Sequence, residues 1–160
     1  MNEVLASSKD SPGVLVFPPL LFGGTLVLGL VLHALVPLGL RLPVLPARAA
    51  GVVLVIGGAL LARWAETTMH EAGTNVNPGK PTTAIVIAGP FRYTRNPLYL
   101  AVTAVYGGIS LLVPAVWPLL LLVLVLIVLQ WGVIMREERY LERKFGEPYR
   151  EYRKQVRRWL

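Results

Sequence analysis

Two groups of polar residues in this 160-residue chain have types and spacing suited to chemistry. The first is the run Gly89-Pro90-Phe91-Arg92-Tyr93-Thr94-Arg95-Asn96-Pro97-Leu98-Tyr99. Arg92 and Arg95 can bind an anionic group through charge and forked donors. Asn96 carries both an amide donor and a carbonyl acceptor, so it can read a purine edge or a carboxylate. Pro97 disfavours helical geometry in the residue before it, which leaves backbone N–H and C=O groups near Asn96 available to a ligand. The second group is Arg136-Glu137-Glu138-Arg139-Tyr140. On a helix Glu138 would face Glu142, and Arg139 would face Arg143, both like-charge pairs; only Arg139 and Glu142 are opposite in sign at three residues' spacing. Such charges need partners elsewhere, in the protein or in a ligand. An acidic pair and an Arg/Asn loop at one membrane face can together clamp a zwitterion, with carboxylates on its ammonium and Arg or backbone N–H groups on its carboxylate. Each group also has a plainer account: a positive-inside loop with interfacial aromatics, and a solvated helix end with lipid-facing arginines.

The elements that must position these residues are apolar runs. They cover residues 17–36, 47–65, 97–113 and 114–135. Pro18 and Pro19 suit a first helical turn, where missing N–H groups cost little. A Pro-rich turn at 37–46 separates the first two runs, and Arg48 can snorkel at the start of the second. The third run is short, about 25 Å at ~1.5 Å per residue against a ~30 Å hydrocarbon core, so it tilts little, thins the bilayer or begins inside a protein cavity. Residues 66–96 form a long loop with Pro78, Pro81 and Pro90; loops of this length inside compact folds are usually functional. Its stretch Thr82 to Ile87 is β-prone but short. After Met135 the fourth helix is expected to continue to Phe145 and stop at Gly146, a suitable residue just past a helix end. A basic segment closes the chain, so that 136–160 is a C-terminal cytosolic helical segment. The expected fold is all-α: a single-domain integral membrane bundle of about four transmembrane helices, with the loop and C-terminal helix forming a cofactor site.

Composition agrees. The chain is 54% hydrophobic with a mean hydropathy of +0.57, and its apolar residues come in long runs, which points to the membrane rather than to a soluble domain. The net charge of +7 lies beside these runs, so anionic membrane lipid, not nucleic acid, is the expected partner. With no cysteine and only His33 and His70, thiolate chemistry, disulfides and a His-rich metal cluster are excluded. Met1 to Gly13 carries Glu3, Lys9 and Asp10 and lacks a basic n-region, so the first run is expected to be an uncleaved span. Lys9, Arg63, Lys80, Arg92, Arg95 and all nine basic residues after Met135 fall on one side of a four-span topology, with only Arg41 and Arg48 on the other. The positive-inside rule then places both termini and the long loop in the cytosol, in a bacterial or archaeal inner membrane.

Other polar residues have structural readings. His33 and Gln130, inside spans, are expected to hydrogen-bond between helices. His70 and Glu71 belong to the loop. Gly57-Gly58 and Gly107-Gly108 permit close helix approach.

The motif around Arg95 resembles the Arg-x-x-Arg-His-Pro-x-Tyr signature of the isoprenylcysteine carboxyl methyltransferase and phospholipid methyltransferase family of membrane enzymes. The tail is similar too, with Glu137-Glu138, Tyr140-Leu141, Phe145-Gly146, Tyr149, Tyr152 and Arg158-Trp159. Ala72 to Pro78 resembles a bacterial branch, and the likeness runs from about Gly57 to Trp159. The resemblance implies S-adenosylmethionine as cofactor, with Arg95, Asn96, Pro97 and Tyr99 along its adenine and ribose and Glu137 and Glu138 at its amino-acid end. Pro90, Tyr93 and Tyr149 join that cofactor-binding set. Arg92 or Arg136 would anchor an acceptor carboxylate. The acceptor would be lipid-like, reaching the methyl laterally near Tyr99 and Trp131, and no metal is required. Asn96 stands where His is commoner in the family, and Ala101 where Gly is usual; both departures bear on the substrate. Two rivals remain. A nicotinamide-dependent membrane reductase of the sterol reductase type shares part of the motif, and a non-catalytic lipid-binding module would have no cavity at the two motifs.

Overall fold

The structure, a computed structural model, describes residues 11–40, 42–77 and 80–160. Expectations that rest on Glu3, Lys9, Asp10, Arg41 and Pro78 lie outside the described residues. Helix α1 spans Pro18–Leu35 and opens on the two prolines of its first turn. Helix α2 spans Val44–Glu71. After the long loop and a 3₁₀ turn at Gly89–Arg92, α3 spans Pro97–Leu112 and α4 spans Val116–Leu129. A π turn, Gln130–Ile134, joins α4 without a break to α5, Met135–Phe145. Gly146, at φ 62°, ends α5 as expected, and α6 spans Glu147–Gln155.

The fold is thus all-helical, and among the described residues Thr82 to Ile87 forms no strand. Three helical rods are long and apolar enough to cross a membrane: α1, α2 and the continuous Val116–Phe145. The remaining apolar helix, α3, has 16 residues, about 24 Å at ~1.5 Å per residue and so short of the ~30 Å core. Its first residue, Pro97, is buried and borders a cavity, so α3 begins within the protein.

The second helix outruns its apolar stretch by six residues, reaching Glu71 instead of Ala65. Burial explains the extension. Ala65 packs with Val86 and Phe91, and Thr68 lies under Gly89, where a Cβ would come within 2.5 Å of the Thr68 hydroxyl. Gly89 also has a φ of +54°, which glycine adopts without steric cost. The long loop is therefore folded back on α2.

Helices α2 and α3 meet along a seam of small residues. A Cβ on Gly58 would stand 2.7 Å from the Ala101 carbonyl, and one on Gly51 would stand 2.8 Å from the Gly108 carbonyl. Only glycine permits such backbone approach. Gly57 and Gly107 face open space, so one glycine of each pair packs, with Gly51 as the unforeseen third. Ala101, fully buried against Gly58, belongs to this seam and not to the acceptor path. The main apolar core joins Phe22 of α1, Tyr106 of α3, and Val125, Leu129, Val133 and Ile134. At the far end, the turn after α1 clips onto the α3–α4 turn through Leu40 N–H to Pro114 O at 3.0 Å and Val116 N–H to Leu38 O at 3.0 Å. Among the described residues His33 Nδ1 is buried without a hydrogen-bond partner, so the expected bridge from it between helices is not formed there.

Candidate active site

The π turn decides which way the acidic pair points. Inserting one residue into an α-helix rotates everything after it by about 100°. Beyond the turn, Glu138 and Tyr140 are buried, whereas Trp131 within it is 60% exposed. The widened turn also offers Gly132 O to the N–H of Leu15 at 3.1 Å. Arg136 Nη1 donates to Gly13 O at 3.2 Å. The segment before α1 is thereby tied beside the acidic pair.

Glu138 is the hub of a buried ion cluster. Arg158 donates to it twice, Nε to Oε1 at 2.9 Å and Nη2 to Oε2 at 2.7 Å. Arg95 Nη1 stands 2.9 Å from Oε1, with both side chains only 10% exposed. That contact is ionic and poorly aligned as a hydrogen bond, and among the described residues Arg95 Nε has no hydrogen-bond partner. The backbone braces the cluster. Arg95 N–H donates to Arg157 O at 3.0 Å. Asn96 Nδ2 and Thr94 Oγ1 both donate to Arg158 O, at 2.9 and 3.1 Å. Tyr152 donates to Phe91 O at 2.8 Å. The last basic segment is thus sewn to the loop before α3. Glu142, whose one opposite-sign neighbour in the sequence pattern is Arg139, pairs with Arg153 at 2.8 Å.

Glu137 is placed differently. Its Oε1 accepts from the Tyr99 hydroxyl at 2.7 Å, and among the described residues no cation pairs with it. Two adjacent carboxylates are therefore placed differently: Glu138 is committed to two arginines, and among the described residues Glu137 leaves Oε2 without a hydrogen-bond partner. The surroundings hold the nearby phenols as neutral donors. Burial first, then the Glu138 charge, pushes the Tyr149 pKa up, and burial does the same for Tyr152. Hydrogen bonding to Glu138 raises that of Arg158.

These groups border a cavity of about 490 Å³, within the ~300–1,000 Å³ usual for small-molecule and cofactor sites. One end is polar, with Arg95, Asn96, Glu137 and Glu138; the other is apolar, between α1 (Phe22, Leu26) and α3 (Val102, Val105). Thr74 to Asn77 form a further wall, closed by Thr83 Oγ1 to Gly73 O at 2.6 Å and Asn75 Nδ2 to Pro81 O at 2.8 Å. The polar end can hold a zwitterion: the Arg95–Arg158–Glu138 cluster carries one net positive charge and an unspent donor, and Glu137 offers a carboxylate to a cation.

Of the residues singled out from sequence, Arg95, Asn96, Pro97, Tyr99, Glu137, Glu138 and Tyr149 line this cavity together. Pro90 is buried in the 3₁₀ turn, outside the lining. Tyr93 is exposed and tilts against Trp64 at 6.4 Å. Arg92 borders a separate surface cleft beside Glu151, and Arg136 donates from Nη1 to Gly13 O outside the lining of the cavity, so neither stands in its wall. Trp131 faces outward. The sequence reading missed the structural weight of Arg158 and the part of the segment before α1, whose Pro12 lines the cavity. The signals for the former were the excess of arginine in the tail and the place of Arg158-Trp159 in the family likeness. Among the described residues no group of three or more His, Asp or Glu is gathered to hold a metal ion.

A family model described as phospholipid methyltransferase matches residues 46–148. An uncharacterized protein of Haemophilus influenzae is 50% identical over 38 residues, which are 24% of this chain and 60% of that protein. The chain thus spans about 60% of the length of this curated relative. No solved structure matches.

Proposed function

Since the chain belongs to the phospholipid methyltransferase family, we propose that it is a membrane methyltransferase that uses S-adenosylmethionine to methylate a lipid-like acceptor. The observation that carries this reading is the cavity whose polar end offers a free carboxylate oxygen on Glu137 and an unspent donor on Arg95. The cofactor's amino-acid end bears an ammonium and a carboxylate, which match these two groups in sign. When bound, it supplies an electrophilic methyl on a sulfonium. Glu137 takes the ammonium, and Arg95, held by Glu138, takes the carboxylate. Asn96, Pro97 and Tyr99 border the nucleoside, and Tyr149 fills the space beside Arg95. Asn96 spends one amide N–H on Arg158 O, which leaves its second N–H and its carbonyl oxygen for a ligand. Val102, Val105 and Phe22 exclude water from the reacting atoms, where positioning and desolvation provide most of what methyl transfer needs. The apolar limb between α1 and α3 suits lateral arrival of an acceptor from the bilayer. A non-catalytic lipid-binding module would need no such cavity, and nothing favours the nicotinamide reductase.

Calorimetry of the purified chain with S-adenosylhomocysteine is expected to give saturable binding at one site per chain. No heat, with a nicotinamide dinucleotide binding instead, would overturn the reading. The same proposal keeps the termini and long loop cytosolic, because the basic residues gather there. Reporters fused at Leu160 and in the turn at 38–45 are then expected to report opposite sides of the membrane; signals from one side would refute that topology.

A further inference from the structure

Residues 11–17 lie in front of α1 and cross the π turn. Among the described residues two hydrogen bonds fasten them there, Leu15 N–H to Gly132 O at 3.1 Å and Arg136 Nη1 to Gly13 O at 3.2 Å. Pro12 is buried and lines the cavity, and Val14 packs on the main core, whereas Leu15 is 65% exposed. Between Pro12 and Val14 the backbone bends at Gly13, with φ +61° and nothing within 4 Å of where a Cβ would stand. Glycine is needed there for conformation and not for space. The Arg136 fastening is light. It joins a guanidinium to a neutral carbonyl, Nε is buried without a hydrogen-bond partner, and among the described residues no carboxylate pairs with it. The other walls of the polar end are tied more heavily. The loop before α3 is held by the Glu138 ion cluster and by Arg157 O and Arg158 O. The wall at 74–77 is held by Thr83, Pro81 and Met69. The segment before α1 is therefore the wall that local opening releases first.

We propose that residues 12–17 are a strap that gates the polar end of the cavity. Release of both hydrogen bonds lifts Pro12 out of the cavity and admits a water-borne ligand; their return seals it. Arg136 is the latch, adjoining Glu137 in sequence but standing outside the cavity wall. The closed strap keeps water from the site, the usual task of such segments. A lipid-like acceptor arriving between α1 and α3 does not pass it, so the two ligands have separate doors. That the water-borne ligand is S-adenosylmethionine rests on the methyltransferase reading above.

The chain has no cysteine, so one engineered disulfide can lock the strap. A Cβ on Gly132 would stand 3.8 Å from that of Leu15, close to the mean spacing across a disulfide. Entry and release of labelled S-adenosylhomocysteine are followed on the full chain carrying Leu15→Cys and Gly132→Cys, in detergent. Oxidation is expected to slow both by roughly a hundredfold, the scale of one disulfide's constraint. Reduction is expected to restore both, which also shows that the variant is folded. Arg136→Met is expected to speed entry and release together by about tenfold, the scale of one lost hydrogen bond from a charged donor, with an unchanged dissociation constant. Gly13→Ala, strained at this φ, acts in the same direction. A merely structural Arg136 would lower affinity or melting temperature without moving the two rates in parallel. Equal exchange in the oxidised and reduced forms, or parent-like rates in Arg136→Met, would overturn the gate. If S-adenosylhomocysteine binds and the lock has no effect, the gate falls and the methyltransferase reading stands. If a nicotinamide dinucleotide binds instead, that reading falls, and the same comparison of locked and reduced forms with the dinucleotide decides the gate. Binding of neither removes the ligand a gate would serve and overturns both.

Discussion

Glu138→Gln is expected to destabilise the folded protein by about 3 kcal/mol, because it leaves two guanidinium groups facing each other without the charge that holds them. Arg95 is 10% exposed and Arg158 35% exposed. The partial exposure of Arg158 sets the expectation at the low end of the ~3–5 kcal/mol seen when one member of a buried pair is removed. The loss should spread beyond the side chains, since Arg157 O and Arg158 O also hold Arg95, Asn96 and Thr94. Thermal unfolding in detergent measures it. A second substitution, Arg158→Met, is expected to restore part of the loss, since it removes one of the stranded charges and makes the pair of changes non-additive. An unchanged melting temperature for Glu138→Gln would show that the cluster contributes nothing to the fold.

For the neighbouring carboxylate the expectation is the reverse. Glu137→Gln should leave stability nearly unchanged, because a Gln oxygen can still accept the Tyr99 hydroxyl that now meets Oε1 at 2.7 Å. What it removes is the charge facing the cavity. Affinity for S-adenosylhomocysteine is then expected to fall by about 1.5–3 kcal/mol, the scale of a hydrogen bond to a charged group, or roughly 10- to 150-fold. Calorimetry on parent and variant decides it. Parent-like binding by Glu137→Gln would remove Glu137 from the site and leave the acidic pair with a structural role only. The two substitutions change adjacent residues by the same atoms, so a stability loss in one and an affinity loss in the other would directly separate their tasks.

Much of the architecture was legible from composition alone. Transfer into hydrocarbon depends on apolarity summed over about twenty residues, and local errors cancel in such a sum, so the apolar runs at 17–36, 47–65 and 114–135 emerge as rods. The shortness of α3 followed in the same way, from residue count and rise. The stop at Gly146 was local chemistry. The two polar clusters were legible by residue type, and the self-repelling order of charges after Met135 correctly required partners elsewhere, which are Arg95, Arg158 and Arg153.

Tertiary structure alone decided the division of labour. Glu137 and Glu138 are equivalent in sequence. Their tasks differ because the π turn rotates α5 and because Arg158, twenty residues from Glu138, returns to one of them and not to the other. Side-chain spacing along one helix carries no information about which remote cation arrives. The same holds for the glycines: Gly57 and Gly58 are neighbours, yet only Gly58 meets a carbonyl of α3, because adjacent residues on a helix point about 100° apart. Arg92 and Arg136 have the charge for a ligand but stand outside the cavity, whereas Tyr106, to which the sequence assigned no part, lines it. Residue types limited which chemistry the chain could perform; the rotation and approach of its helices selected which residues are free to perform it.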